Sequence, residues 1–273
     1  MSGFRAACVQ LRSSDDVAEN IKAASALIRE AAAGGAAFIA TPENTTLMAP
    51  DAGAKLERCF DEAHDPALPA FRALAAELGI TLLIGSLAIK VSETKTANRS
   101  FLIDPKGAIA ARYSKIHLFD IDQRSGEQYR ESHTVAGGDS AVLAQTPWGK
   151  LGLTICYDMR FPQLYRALAK AGVFVFTVPS AFTETTGKAH WHVLLRARAI
   201  ENGAFVIASA QGGLHANGRR TYGHSIIIGP WGEILAEAGT EPGVIYADID
   251  PALSGAARAK IPNLQHGRDF GGP

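Results

Sequence analysis

Apolar and polar residues alternate along the chain in two interleaved rhythms. Short β-rich runs at 4–11, 37–40 and 80–89 are bounded by turn residues and predict buried strands. Alanine-rich segments with helical spacing lie between them. Ser14, Asp15 and Asp16 are placed to cap a helix over 17–33, which Gly34 and Gly35 stop, and a second helix over 67–78 ends at Gly79. The pattern then turns antiparallel. Runs at 99–103 and 108–113 flank Asp104-Pro105-Lys106-Gly107, a turn with proline and glycine in favoured places. Two further turns, Pro147-Trp148-Gly149 and Pro230-Trp231-Gly232, join apolar runs at 142–146/150–155 and 225–229/233–237, in the manner of duplicated hairpins. Between them the spacing predicts a strand at 151–155, a helix at 163–171, a strand at 173–178, a helix at 190–201 and a strand at 204–210. No Ser/Gly-rich linker divides the chain. The expectation is an α/β protein with mixed sheets covered by helices, in one domain over 1–273.

Composition narrows the function. At 273 residues and 47% hydrophobic, the chain can bury a large core without staples and is not disordered. Its 27 basic residues balance 27 acidic ones, which argues against nucleic-acid and membrane partners, both of which favour excess Lys and Arg. Cys8, Cys59 and Cys156 form no CxxC pair, as suits a reducing compartment. Arg5 interrupts MSGFRAACVQL, so no signal-like apolar run is read there, and a cytoplasmic location is expected. There is no GxGxxG after the first strand, no GxxxxGK[ST] and no HExxH. His190 and His192, two apart on an expected helix, point to different sides. No cofactor and no metal are implied.

Cys156 closes the apolar strand 151–155 and precedes Tyr157-Asp158-Met159-Arg160-Phe161-Pro162 and a helix. A strand end leading to a helix presents a side chain at the sheet edge where ligands bind, beside turn amides that can hold an oxyanion. Taken alone, Cys156 also reads as a small buried hydrophobe, the reading kept for Cys8 and Cys59. A thiol nucleophile needs a base, and no histidine stands out by position. Glu43 ends a short strand after Pro42, and Lys115 follows the strand at 108–113. Singly they read as a cap carboxylate and a solvated lysine. Their conjunction carries the weight.

Glu43 in TPEN, Lys115 in YSKIHLFD and Cys156 in ICYDMRFP resemble, in order and spacing, the Glu-Lys-Cys triad of the nitrilase superfamily. The likeness extends through NRSFLIDPKG at 98–107, PSAF at 179–182, AHWHVLLRARAIEN at 189–202 and YGHSIIIGPWGEIL at 222–235. The resemblance implies a four-layer αββα sandwich. It implies Glu43 as general base, Lys115 as oxyanion stabiliser, Cys156 as nucleophile, and Glu131 in YRES as a second glutamate positioning the lysine and substrate. It also implies a homodimer or higher homo-oligomer, with 163–170 and 189–202 as interface candidates. In physical terms, Lys115 near Cys156 favours the thiolate while Glu43 takes the thiol proton. The oxyanion would face Lys115 and the backbone N–H of Tyr157.

Tyr157 and Asp158 stand where true nitrilases carry Trp and Glu, so CYDMRFP resembles the amidase branches. SAQGG at 209–213 and TYGHS at 221–225 resemble the deaminated-glutathione amidases, and Thr185-Thr186-Gly187 is also compatible with ω-amidases acting on α-ketoglutaramate. Either substrate is an anionic 2-oxo acid amide. Arg160 is the expected carboxylate clamp, or else a salt bridge within the turn. Phe182 and Thr186, on the loop after the strand at 173–178, would wall the acyl chain and bond its polar groups. Thr41 departs from the bulkier apolar residue often found before Pro-Glu in relatives. A catalytically silent scaffold or binding protein is the alternative of another class, against which a complete triad weighs.

Overall fold

The computed structural model describes residues 2–122 and 128–272. Two six-stranded mixed sheets form its centre. The first comprises β1 (Phe4–Gln10), β2 (Phe38–Ala40), β3 (Thr81–Lys90), β4 (Thr96–Ile103), β5 (Ile109–Ser114) and β16 (Gly243–Ile249), in the order β16-β1-β2-β3-β4-β5. The second comprises β8 (Val142–Thr146), β9 (Gly149–Leu153), β10 (Val173–Thr177), β11 (Phe205–Ala208), β14 (Ile226–Ile228) and β15 (Ile234–Glu237), in the order β15-β14-β11-β10-β9-β8. Each has a parallel centre, β1-β2-β3 or β9-β10-β11, flanked by antiparallel strands. The two Pro-Trp-Gly turns close the β8–β9 and β14–β15 hairpins at opposite edges of one sheet.

Alternation along β1 assigns the layers. Ala7 and Val9 face α1 (Val17–Ala33) and α3 (Ala67–Leu78), meeting Ala24, Ile28, Ala31 and Phe71. Phe4, Ala6 and Cys8 face the second sheet, where Phe4 stacks on Trp148 at 4.1 Å. Fully burying a side chain such as Ile28 or Phe71 contributes about 1.5–3 kcal/mol. Beyond the second sheet, α4 (Pro162–Lys170) and α5 (Glu184–Asn202) supply Tyr165, Leu168, Trp191 and Leu195 to the core. The result is the expected αββα sandwich. No helix among the described residues is long and apolar enough to cross a membrane.

The sequence reading differs from the structure at three places. α5 begins at Glu184, capped by the Thr183 hydroxyl accepting from Thr186 N, six residues before the expected start at 190. Gly187 disguises that first turn as a loop, yet a Cβ there would overlap the Tyr222 ring. α2 (Ala52–Arg58) and α6 (Pro251–Lys260) were not anticipated, because their apolar faces are small. Two short hairpins, β6 (Asp120–Asp122) with β7 (Gln128–Arg130) and β12 (Gly212–Leu214) with β13 (Arg220–Tyr222), lie outside the two main sheets.

Candidate active site

A cavity of about 650 Å³ is lined by Glu43, Lys115, Glu131 and Cys156 together. Each follows the end of a different strand, Glu131 coming directly after β7. Glu43 follows β2, in a segment pressed so tightly on β3 that a Cβ at Gly85 would overlap the Thr41 carbonyl oxygen. The Thr41 hydroxyl accepts from Gly85 N at 3.0 Å and lies 2.8 Å from the Thr45 hydroxyl, so the small polar residue there is fully used. Lys115 follows β5, where its N–H donates to the Asn98 carbonyl at 2.9 Å.

Cys156 opens a short 3-10 helix three residues beyond the end of β9, and its N–H donates to the Pro179 carbonyl at 2.9 Å. Its φ of 47° lies in the left-handed region. For a residue with a Cβ this costs about 1–3 kcal/mol, offset by the surrounding bonds. Asp158 supplies several of them. Fully buried, it accepts from Ile155 N at 2.9 Å, Tyr113 Oη at 2.6 Å and His117 N at 3.1 Å, and pairs with His117 Nδ1 at 2.7 Å. The N–H of Tyr157, in the first turn of that 3-10 helix, has no backbone acceptor among the described residues and is available to an oxyanion.

The charges form one chain. Lys115 Nζ donates to Glu43 Oε1 at 3.0 Å and to Glu131 Oε2 at 2.9 Å, with the lysine only 2% exposed. Asn98 Nδ2 bridges both carboxylates, at 2.8 Å from Glu43 Oε1 and 3.3 Å from Glu131 Oε1. Ala181 N donates to Glu43 Oε2 at 2.8 Å, and Phe119 N to Glu131 Oε2 at 2.7 Å.

These contacts set the protonation states. Burial alone would push the Glu43 carboxyl up, but Lys115 and its other donors outweigh that and hold it below the usual 4.5. Burial alone would push Lys115 down, yet Glu131 and Glu43 hold it well above 10.5. Burial and the Glu43 charge raise the Cys156 thiol far above its usual 9.0, more than Lys115 and the Ala181 N–H lower it. The resting site is therefore carboxylate, ammonium and neutral thiol. Lys115 does favour the thiolate, but the carboxylate beside the sulfur and the loss of water outweigh it, so the proton must pass to Glu43 during attack.

Acidity does not separate Cys156 from Cys8, whose buried thiol is pushed up to about 12. Place does. Cys8 is sealed between the sheets, whereas Cys156 opens on the cavity with a base against it.

Phe182 and Thr186 line the cavity as expected, although Thr186 sits in the first turn of α5 and its hydroxyl lies 2.7 Å from that of Thr183. Arg160 is not among the lining residues. Its guanidinium lies over the Tyr157 and Phe182 rings, 5.8 and 5.3 Å from their centroids, and 3.3 Å from His190 Nδ1, so it braces the wall from behind. Sequence reasoning missed Asn98, Lys55 and Arg219. Asn98 was within reach, since it opens the NRSF motif. Among the described residues one group has metal-ligand spacing, His192, His224 and Glu237. Both imidazoles lie 2.8 Å from Glu237 Oε1, hydrogen bonds that account for the cluster without an ion, and none of the three lines the cavity.

Comparison with known proteins agrees with this geometry. The carbon-nitrogen hydrolase family model matches residues 5–259. A deaminated glutathione amidase of Synechocystis is 43% identical over 97% of this chain and 98% of its own. The human deaminated glutathione amidase is 39% identical over 96% of this chain and 81% of its own. The NitFhit protein of C. elegans superposes with a TM-score of 0.92 at 34% identity, over 98% of this chain and 66% of that longer one. A Glu-Lys-Cys constellation in an αββα sandwich, with a family match across nearly the whole chain, makes this protein a member of the carbon-nitrogen hydrolase family and an amidase.

Proposed function

We propose that residues 1–273 act as one hydrolase domain that cleaves deaminated glutathione through a thioester on Cys156. The hydrogen-bonded chain Glu43–Lys115–Glu131 meeting Cys156 in a single cavity is the observation that carries this reading. Glu43 takes the thiol proton as sulfur attacks the amide carbonyl, so the thiolate exists only as the new S–C bond forms. The oxyanion is held by Lys115 and the N–H of Tyr157. Glu43 returns the proton to the departing amine, leaving a thioester, and then activates the water that releases the 2-oxo acid and regenerates the thiol. Glu131 and Asn98 keep Lys115 ionised and aimed, while Phe182 and Thr186 wall the acyl chain. No cofactor enters these steps. The free thiols of Cys8, Cys59 and Cys156 support a cytoplasmic setting, and the exposed apolar face of α5 supports a homodimer.

The test is product detection by mass spectrometry, offering deaminated glutathione and α-ketoglutaramate at equal low concentration, with Cys156→Ala as control. Preferential cleavage of the tripeptide-like amide, lost in the mutant, is expected. Preference for α-ketoglutaramate would make the protein an ω-amidase with the same triad, and cleavage of neither would overturn the substrate reading.

A further inference from the structure

Five cations line the cavity, Lys55, Lys115, Arg130, Arg219 and Arg220, against four acids, Glu43, Asp51, Glu131 and Glu184. Glu43 and Glu131 share the single charge of Lys115, Asp51 caps α2 through Ala54 N, Glu184 pairs with Lys188, and Arg130 pairs with Asp122. Of the remaining cations Arg220 is exposed, while Lys55 on α2 and Arg219 at the end of the β12–β13 loop are half-buried, and none of the three has a carboxylate partner among the described residues. Lys55 Nζ has no hydrogen bond there either. Arg219 donates from Nη2 to the Ala181 carbonyl at 2.8 Å, reaches Met48 Sδ at 3.9 Å from Nη1 and stands over the Tyr129 ring at 5.5 Å. Its Nε is buried with no acceptor. Arg219 is half-buried, but an orphaned donor at its buried Nε is costly unless an acceptor arrives to meet it.

The two cations are held to one wall by construction. Asn217, two residues before Arg219, donates from Nδ2 to the Met48 and Ala49 carbonyls at 3.2 and 3.1 Å, clamping the hairpin loop to the segment that leads into α2. Burial lowers the Lys55 pKa, with the nearby Arg219 and Lys115 charges adding to that and Glu131 and Glu43 opposing it. An arriving carboxylate would relieve that repulsion.

Which part of the substrate meets them follows from the proton path. Glu43 must protonate the departing amine, so the amine leaves on the Glu43 side of Cys156. Glu43 Oε2 accepts from Ala181 N, and Arg219 donates to the carbonyl of the same residue. The leaving group therefore runs toward the wall that carries Arg219 and Lys55. We propose that Lys55 and Arg219 form a carboxylate subsite for the leaving amine, so that the enzyme selects amides whose amine product is itself anionic, such as a short peptide with a free C-terminus. This rests on the amidase reading above and names what distinguishes a peptide-like substrate from a primary amide.

The experiment compares deaminated glutathione with its C-terminal carboxamide, which keeps every atom of the scissile region but loses the leaving-group charge. The wild type is expected to show a KM about 10- to 100-fold lower for the free acid, the range of a charge-assisted hydrogen bond. Lys55→Met, which keeps the side-chain length, should shrink that preference severalfold, and Lys55→Arg should restore it. A wild type with equal KM for acid and carboxamide would overturn this inference alone. A preference that Lys55→Met leaves intact would likewise overturn the role of Lys55. A wild type that cleaves neither form but does cleave α-ketoglutaramate would overturn both this inference and the substrate reading. Circular dichroism of Lys55→Met separates misfolding from lost recognition, and the acid-to-carboxamide ratio is read within one folded variant in any case.

Discussion

At Glu43 a single carboxylate is asked to be a base twice and an acid between, and its surroundings fix when it can be either. Lys115, Asn98 and the Ala181 N–H hold it ionised below its usual 4.5, and the thiol it deprotonates stays neutral beyond its usual 9.0. The reactive protonation state therefore persists across the whole interval between those values. We expect kcat/KM to be level from 4.5 to 9.0, with no limb near pH 6.5, because no histidine takes part in proton transfer. A bell centred on a histidine pKa would sink the assignment of Glu43. Stability follows the same groups. A carboxyl depressed on folding contributes stability that is present above its unfolded pKa and is lost as pH falls through the folded value. Lys115, raised on folding, contributes below 10.5 and loses that contribution as pH rises through its folded value. Urea unfolding of Glu43→Gln should accordingly weaken the acid part of the wild-type pH dependence, and weaken the alkaline part less, because Glu131 still raises Lys115.

Elements place these residues, and they differ in how far the chain betrays them. α1 and α3 were read to the residue, 17–33 and 67–78, because caps, glycine stops and an apolar stripe agree there. The triad was legible because each member ends a strand inside a long recognisable motif. Lys55 was not, since α2 is seven residues long with no buried side chain, and only its Asp51 cap could have marked it. Arg219 was hidden because its meaning comes from a hairpin crossing to residue 48, a contact no local spacing encodes. Arg160 misled for the converse reason: it is near Cys156 in sequence but turned to the far side of the Phe182 ring. The start of α5 was lost to Gly187, which packs against Tyr222 in space a side chain would need. Gly187→Leu should therefore act against helix propensity. Leucine favours a helix by just under about 1 kcal/mol over glycine, yet overpacking costs about 1–3 kcal/mol, so the substitution should lower the urea midpoint. It should also raise KM by displacing Thr186, one residue away. A stabilised variant with unchanged KM would show that the Tyr222 ring moves aside freely.

At the scale of the whole molecule, large apolar side chains stand exposed along α5. Val193 and Ile200, two turns apart on α5, are 68% and 51% exposed, and Trp231 beside them is 57% exposed. The Trp231–Gly232 turn is tied to that helix by Arg196 Nε donating to the Gly232 carbonyl at 2.8 Å, and Lys260 Nζ stands 5.7 Å from the Trp231 ring centroid. Large side chains on a rigid helix face are costly in water, and a stable self-association buries about 800 Å² per partner. The same helix carries Thr186 in its first turn and packs beside the 3-10 turn of Cys156, so pairing through α5 would stiffen the wall of the site. Val193→Asp with Ile200→Asp should shift the sedimentation coefficient from dimer to monomer. The melting temperature of the wild type should rise with protein concentration, and that of the double variant should not. A monomeric wild type would remove α5 as an interface while leaving the triad chemistry intact. A double variant that stays dimeric would move the contact to another face.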